Sequence, residues 1–167
     1  MVLCVMIWGK TVTLLFSSYV SSFLIMLIRS LTNRLGKTLQ SLVAVAISHS
    51  DSHASSKKKS LIVCPASVVG HWVNEIKRFF PKGLVLEPFA YTSATKTRRA
   101  SWSESLTRCN VIITSYSVLR TDVDLLENIL WDYCILDEGH LLKNPKTATA
   151  KASRRVKARH KLILTGK

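Results

Sequence analysis

The sequence predicts an α/β fold, a parallel sheet with helices packed on both faces. Three observations lead there. Short, almost wholly apolar runs (Leu61–Cys64, Asn110–Thr114, Tyr133–Leu136, Leu162–Thr165) alternate with helical or polar stretches. Strands with no polar side must be covered on both faces, as parallel sheets are. Gly36-Lys37-Thr38 and Asp137-Glu138-Gly139-His140 then fall at the carboxyl ends of strands, where such sheets gather ligands.

Taken in order, Phe23–Ile28 is the hydrophobic strand expected before the Gly-Lys-Thr turn, and Leu39–Ile47 reads as the helix leaving it. His49–Lys59, rich in Ser, His and Lys, reads as an exposed loop. The strand Leu61–Cys64 is stopped by Pro65. Ser67 is placed to cap a helix over Val68–Phe80, whose Trp72, Ile76 and Phe79 or Phe80 share one face. Leu84–Leu86 or Pro88–Tyr91 supplies a further strand, and Thr92–Leu106 a helix or loop. After Asn110–Thr114, a helix starts at Asp122 or Asp124 and runs through Leu130. Tyr133–Leu136 is a strand, Thr147–Arg159 a basic helix and Leu162–Thr165 the last strand.

The 167 residues, 47% of them hydrophobic, suffice for one packed domain and little more. The net charge is +14 and unevenly placed: all ten acids lie between Asp51 and Glu138, whereas Lys143–Lys161 holds eight Lys or Arg. Such a stripe favours a polyanion through counterion release. Cys4, Cys64, Cys109 and Cys134 are far apart, with neither a Cys-x-x-Cys pair nor a His at zinc spacing, so a reduced protein without structural metal is expected. Residues 1–30 differ in character. Thr11–Ile28 is uncharged over eighteen residues between Lys10 and Arg29, just long enough for a membrane span. Its ten Val, Leu, Ile or Phe supply about −3 to −6 kcal/mol towards insertion, opposed by four Ser and two Thr. A soluble strand is the favoured alternative.

The two motifs carry chemistry together. Lys37 is suited to β/γ-phosphate, Thr38 to a magnesium ion, and Asp137 to the same ion from the opposite side. Glu138 is suited to orienting or deprotonating the attacking water.

Leu35-Gly36-Lys37-Thr38-Leu39-Gln40 resembles motif I of the Swi/Snf-type ATPases of helicase superfamily two. Ile62–Ser67 with Trp72, Glu75 and Phe79 resembles motif Ia, and Ile112–Tyr116 motif Ib. Asp137–His140 with Lys143-Asn144 resembles motif II, and Leu164-Thr165-Gly166 the start of motif III. The resemblance covers residues 31–167 and implies a first RecA-like lobe of an ATP-driven translocase on double-stranded DNA, working in the nucleus in transcription. It implies ATP and Mg²⁺ as cofactors, held by Gly36, Lys37, Thr38 and Asp137. Catalysis falls to Asp137 and Glu138, with His140 linking the site to neighbouring motifs. Pro65, Ser67, Thr114 and Ser115 match motifs that lie against a DNA strand. The Gly-His ending and Gly70–Ile76 are most similar to the branch that removes TATA-binding protein from promoters, which makes that protein an implied partner.

Three departures stand against the pattern. Arg34 replaces a glycine of the phosphate turn, where a left-handed backbone costs on the order of 1–2 kcal/mol. Nothing before residue 31 resembles the adenine-contacting segment. Thr165-Gly166-Lys167 ends where the family continues into a second lobe carrying an arginine finger, worth roughly 10³–10⁵ in rate. A truncated or alternatively spliced product with an unrelated leader at 1–30, turning over ATP weakly or not at all, is therefore expected. A non-hydrolysing DNA- or protein-binding module and a membrane-anchored fragment remain the alternatives.

Overall fold

The computed structural model describes residues 5–7, 10–12, 37–50, 58–80, 85–92 and 95–165. The phosphate turn with Arg34 and Gly36, the expected strand Phe23–Ile28, and most of the candidate span Thr11–Ile28 lie outside these residues. Near the amino terminus, β1 (Val5–Ile7) pairs antiparallel with β2 (Lys10–Val12). Among the described residues, no helix is long and apolar enough to cross a membrane.

Among the described residues the main sheet has five strands, all parallel: β3 (Ser60–Cys64), β4 (Pro88–Tyr91), β5 (Val111–Ser115), β6 (Trp131–Leu136) and β7 (Ala158–Ile163), in the order β4-β5-β3-β6-β7. Cys64 pairs with Ser115, Val63 with Leu136, and Leu136 with Ile163, so these strands end together along one edge. β3, β5 and β6 are buried at every position, as their apolar runs Leu61–Cys64, Val111–Ile113 and Tyr133–Leu136 require, with Ser60, Thr114, Ser115 and Asp132 buried beside them.

Pleating divides the side chains between two cores. Ile62, Cys64, Ile113, Tyr133 and Ile135 meet α1 (Lys37–Ser50) and α2 (Val69–Phe79) on one face. Leu61, Val63, Ile112, Cys134 and Leu136 meet α5 (Tyr116–Thr121), α6 (Val123–Leu126) and α7 (Ala148–Arg155) on the other. Trp72 and Ile76, one turn apart, anchor α2. Each is essentially inaccessible and contributes about 1.5–3 kcal/mol through burial. α3 (Thr95–Ala100) and α4 (Trp102–Arg108) complete the chain, and Trp102 packs on Tyr91 at a centroid distance of 4.8 Å.

Several elements differ from expectation. Ser67 does not cap α2. It lies exposed in a 3₁₀ turn, Ala66–Val68, and the helix begins after Val68 without a side-chain cap. The basic helix stops at Arg155 because Val156 is already extended, and Arg159, His160 and Lys161 belong to β7. The helix expected from Asp122 or Asp124 to Leu130 is a single turn ending at Leu126. Lys58 and Lys59 are not part of a solvated run: Lys58 Nζ donates to the Ser48 carbonyl at 2.6 Å, and Lys59 Nζ to the Leu106 carbonyl.

Candidate functional site

Lys37 is the first residue of α1, with its side chain exposed, and Thr38 follows half-buried. The amine of Lys37 donates to the carbonyl of Thr165, on the extension of β7. That extension is stitched to the acidic motif by two backbone bonds. Leu164 N donates to Leu136 O at 2.9 Å, and Gly139 N donates to Leu164 O at 2.7 Å. The Lys37 amine therefore meets the extension of β7, which runs beside the end of β6 from which Asp137-Glu138 leave.

Asp137 is held on every side. Its amide donates to Val63 O at 2.8 Å, and its carbonyl accepts from the Tyr116 hydroxyl at 2.6 Å. Its Oδ2 accepts from the indole Nε1 of Trp72, and its Oδ1 from the amide of Glu138, each at 2.9 Å. Burial, reinforced by Asp137, raises the Tyr116 phenol above its ordinary value, so it acts here as a donor. Glu138 has φ 53° and ψ 52°, the only non-glycine residue with positive φ among those described. Non-glycine residues held in this region cluster at functional sites. Its Oε2 lies 3.0 Å from Nδ1 of His140, and the side chain is partly exposed.

Hard oxygen donors suit Mg²⁺, which keeps several waters and takes one or two carboxylates beside nucleotide phosphates. Asp137 fits. A carboxylate offers about four lone-pair directions, and hydrogen bonds occupy two of them here. Thr38 adds a hydroxyl at the start of α1, where helix amides and dipole favour anions. A cleft of ≈ 100 Å³ lies between α1 and β7, lined by Lys37, Gln40, Ser41, Ala44 and Leu162–Leu164. It is smaller than the roughly 300 Å³ of a typical ligand site, and neither acid lines it. The shared sheet edge, rather than this cleft, is what joins the groups.

The remaining sequence candidates lie along the same edge. Pro65 and Ser67 follow β3 at the surface, with the Pro65 carbonyl accepting from Val68 N at 3.0 Å. Thr114 and Ser115 end β5 and are buried. Thr114 Oγ1 donates to Tyr91 O at 2.9 Å, and Ser115 Oγ caps α5 by accepting from Val118 N at 3.3 Å. Both hydroxyls thus serve the fold. The sequence places Trp72 on the shared face of a helix and in motif Ia, and Tyr116 at the end of motif Ib, with no contact at the site assigned to either. Both lie in the core and also hold Asp137, a contact that only the strand register reveals.

This five-strand parallel sheet, with its lysine and acid pair at the carboxyl edge, is a RecA-like lobe of the SWI2/SNF2 ATPase-core type. It matches the Sulfolobus solfataricus SWI2/SNF2 ATPase core in complex with dsDNA at a TM-score of 0.66 and 29% identity, covering 80% of this chain and 26% of that one. A family profile described as SNF2-related domain matches residues 33–167, and the chain belongs to that family.

Among its relatives, TATA-binding protein-associated factor BTAF1 of Arabidopsis thaliana is 43% identical over 136 residues, and human TATA-binding protein-associated factor 172 is 41% identical over 141. The chromatin-remodeling ATPase INO80 of Saccharomyces cerevisiae is 33% identical over 138 residues. Each alignment covers 79% of this chain but only 7%, 8% and 9% of the respective relative, so the chain spans under a tenth of their length.

Proposed function

We propose that residues 31–167 bind Mg²⁺-ATP and double-stranded DNA as part of a nuclear, transcription-associated translocase that displaces TATA-binding protein by hydrolysing ATP. The observation that supports this is that Lys37 bonds to Thr165, while the adjoining Leu164 bonds to Leu136 and Gly139, the residues that flank Asp137-Glu138. Lys37 Nζ exchanges the Thr165 carbonyl for phosphate oxygens, with Gly36 contributing its amide. Thr38 and Asp137 hold the ion, which supplies charge neutralisation and a Lewis acid for phosphoryl transfer. Glu138 accepts the proton of the attacking water, and His140 orients the Glu138 carboxylate.

DNA lies against the surface made by Pro65 and Ser67, with Thr114 and Ser115 shaping the strand end beneath. Its phosphates are met by the exposed Lys143, Lys146, Lys151 and Arg154. Arg155 is excluded from that role, since Asp124 and Glu127 hold it at 2.6 Å each. TATA-binding protein is assigned on the names of the relatives, two of which are associated factors of it.

Titration with a fluorescent ATP analogue in Mg²⁺ tests the reading. Lys37→Ala is expected to weaken binding at least about tenfold, about 1.4 kcal/mol; unchanged affinity removes the proposed site. For DNA, a Lys151→Glu/Arg154→Glu pair is expected to reduce the salt slope of duplex binding by about two.

A further inference from the structure

We propose that Trp72 and Tyr116 are positioning residues for the metal-holding Asp137, gripping its carboxylate and its carbonyl from opposite faces of the sheet. The inference rests on the nucleotide-site reading above and adds how that site is held. Trp72 projects from α2, which packs in the core on one face, and its indole N–H reaches Oδ2 at 2.9 Å. Tyr116 opens α5 in the core of the other face, and its hydroxyl reaches the Asp137 carbonyl at 2.6 Å. Both side chains are largely buried, Trp72 at 1% and Tyr116 at 8% exposure, so packing holds each donor in place.

The two bonds do different jobs. The indole takes one direction of Oδ2 and fixes the rotation of the carboxylate, leaving Oδ1 and Oδ2 one direction each for an ion. The phenol fixes the peptide plane from which the side chain and the left-handed Glu138 both depart. A donor that orients a metal-bound carboxylate alters metal affinity without touching the nucleotide.

The test uses the full chain, ADP and Mn²⁺ as a paramagnetic stand-in for Mg²⁺. Free Mn²⁺ is counted by electron paramagnetic resonance, and nucleotide affinity is measured separately in EDTA. Trp72→Phe and Tyr116→Phe are each expected to weaken Mn²⁺ binding to the nucleotide complex about tenfold, the lower end for outer-shell partners of a metal. Affinity for ADP in EDTA should stay within about twofold for both. Trp131→Phe is the control for lost volume and a lost indole bond. Trp131 is also fully buried and donates to Leu126 O at 2.9 Å, but at the opposite edge of the sheet, and its Mn²⁺ affinity should equal that of the native chain. Native-like Mn²⁺ affinity in Trp72→Phe and Tyr116→Phe, or an equal loss in Trp131→Phe, overturns the assignment. A native chain that binds ADP in neither condition removes the nucleotide site itself, a failure distinct from the first.

Discussion

A methyl group built on Gly139 would stand 2.1 Å from Cγ2 of Ile163, inside any permissible contact. The glycine is therefore required by the closeness of β7, which also brings Leu164 O within reach of its amide. Ile163 cannot easily withdraw, because the crowding atom is its branch methyl rather than a flexible chain end.

Gly139→Ala is accordingly expected to cost about 1–3 kcal/mol by overpacking. Ile163 is 44% exposed, so Ile163→Ala should cost less, and the double variant should recover at least about 1 kcal/mol relative to the sum. Urea unfolding of the four chains measures this; strictly additive costs would mean that Ile163 is not the obstacle.

Asp122 is wholly buried and joined by Arg99 at 2.7 Å and by the Tyr91 hydroxyl at 3.0 Å. Arg99→Met preserves the aliphatic stem but takes one cation from a buried acid, which should cost about 1–3 kcal/mol after allowance for the half-exposed arginine. Adding Asp122→Asn should restore part of that loss. If the double variant is the less stable of the two, the acid is balanced by other groups.

How much of this was legible beforehand depended on what each segment buries. β3, β5 and β6 are plain where their side chains are apolar, whereas the buried Asp132 hides the start of β6 at Trp131. β7 was half-missed. It carries Arg159, His160 and Lys161 within strand pairing, whereas Arg159 reads as the end of a basic helix and the expected strand starts only at Leu162. The helix α5 passed unseen, although Ser115 is its cap, because a serine after a strand looks equally like a strand end. For the site, Lys37, Asp137, Glu138 and His140 were named from motif order. The grip on Asp137 was not legible, since Trp72 lies 65 residues away and Tyr116 lies 21 away, and nothing local ties them to it.

His49 is held at about 4, below the ordinary 6.5 of histidine. Burial is the main cause, with Lys58 and Lys59 adding to it and Asp132 opposing. The unfolded chain then takes up a proton below pH 6.5 that the folded chain refuses until about pH 4. Stability from this residue is complete above pH 6.5 and is lost as pH falls towards 4. His49→Asn should flatten the fall of the urea midpoint across that window. Parallel curves for the two chains would rule out His49 as its source.

Burial drives the thiols of Cys64 and Cys134 up to about 12, with Asp137 adding to the effect at Cys64. Neither ionises appreciably at neutral pH, and thiolate is the reactive form. Iodoacetamide on the native chain, followed by peptide mass mapping, should label the part-exposed Cys109 well before either. Equal labelling of Cys64 would show that the edge near Asp137 opens in solution.

The order β4-β5-β3-β6-β7 places the central strand's neighbours far downstream, with Ser60 beside Val111 on one flank and Tyr133 on the other. During synthesis, β3 leaves the ribosome some fifty residues ahead of its first partner, an interval of roughly 2–10 s at ordinary elongation rates. The apolar residues Leu61–Cys64 thus emerge before either neighbouring strand is available to pair with them, and a chaperone bound there would shield the nascent lobe until β5 emerges.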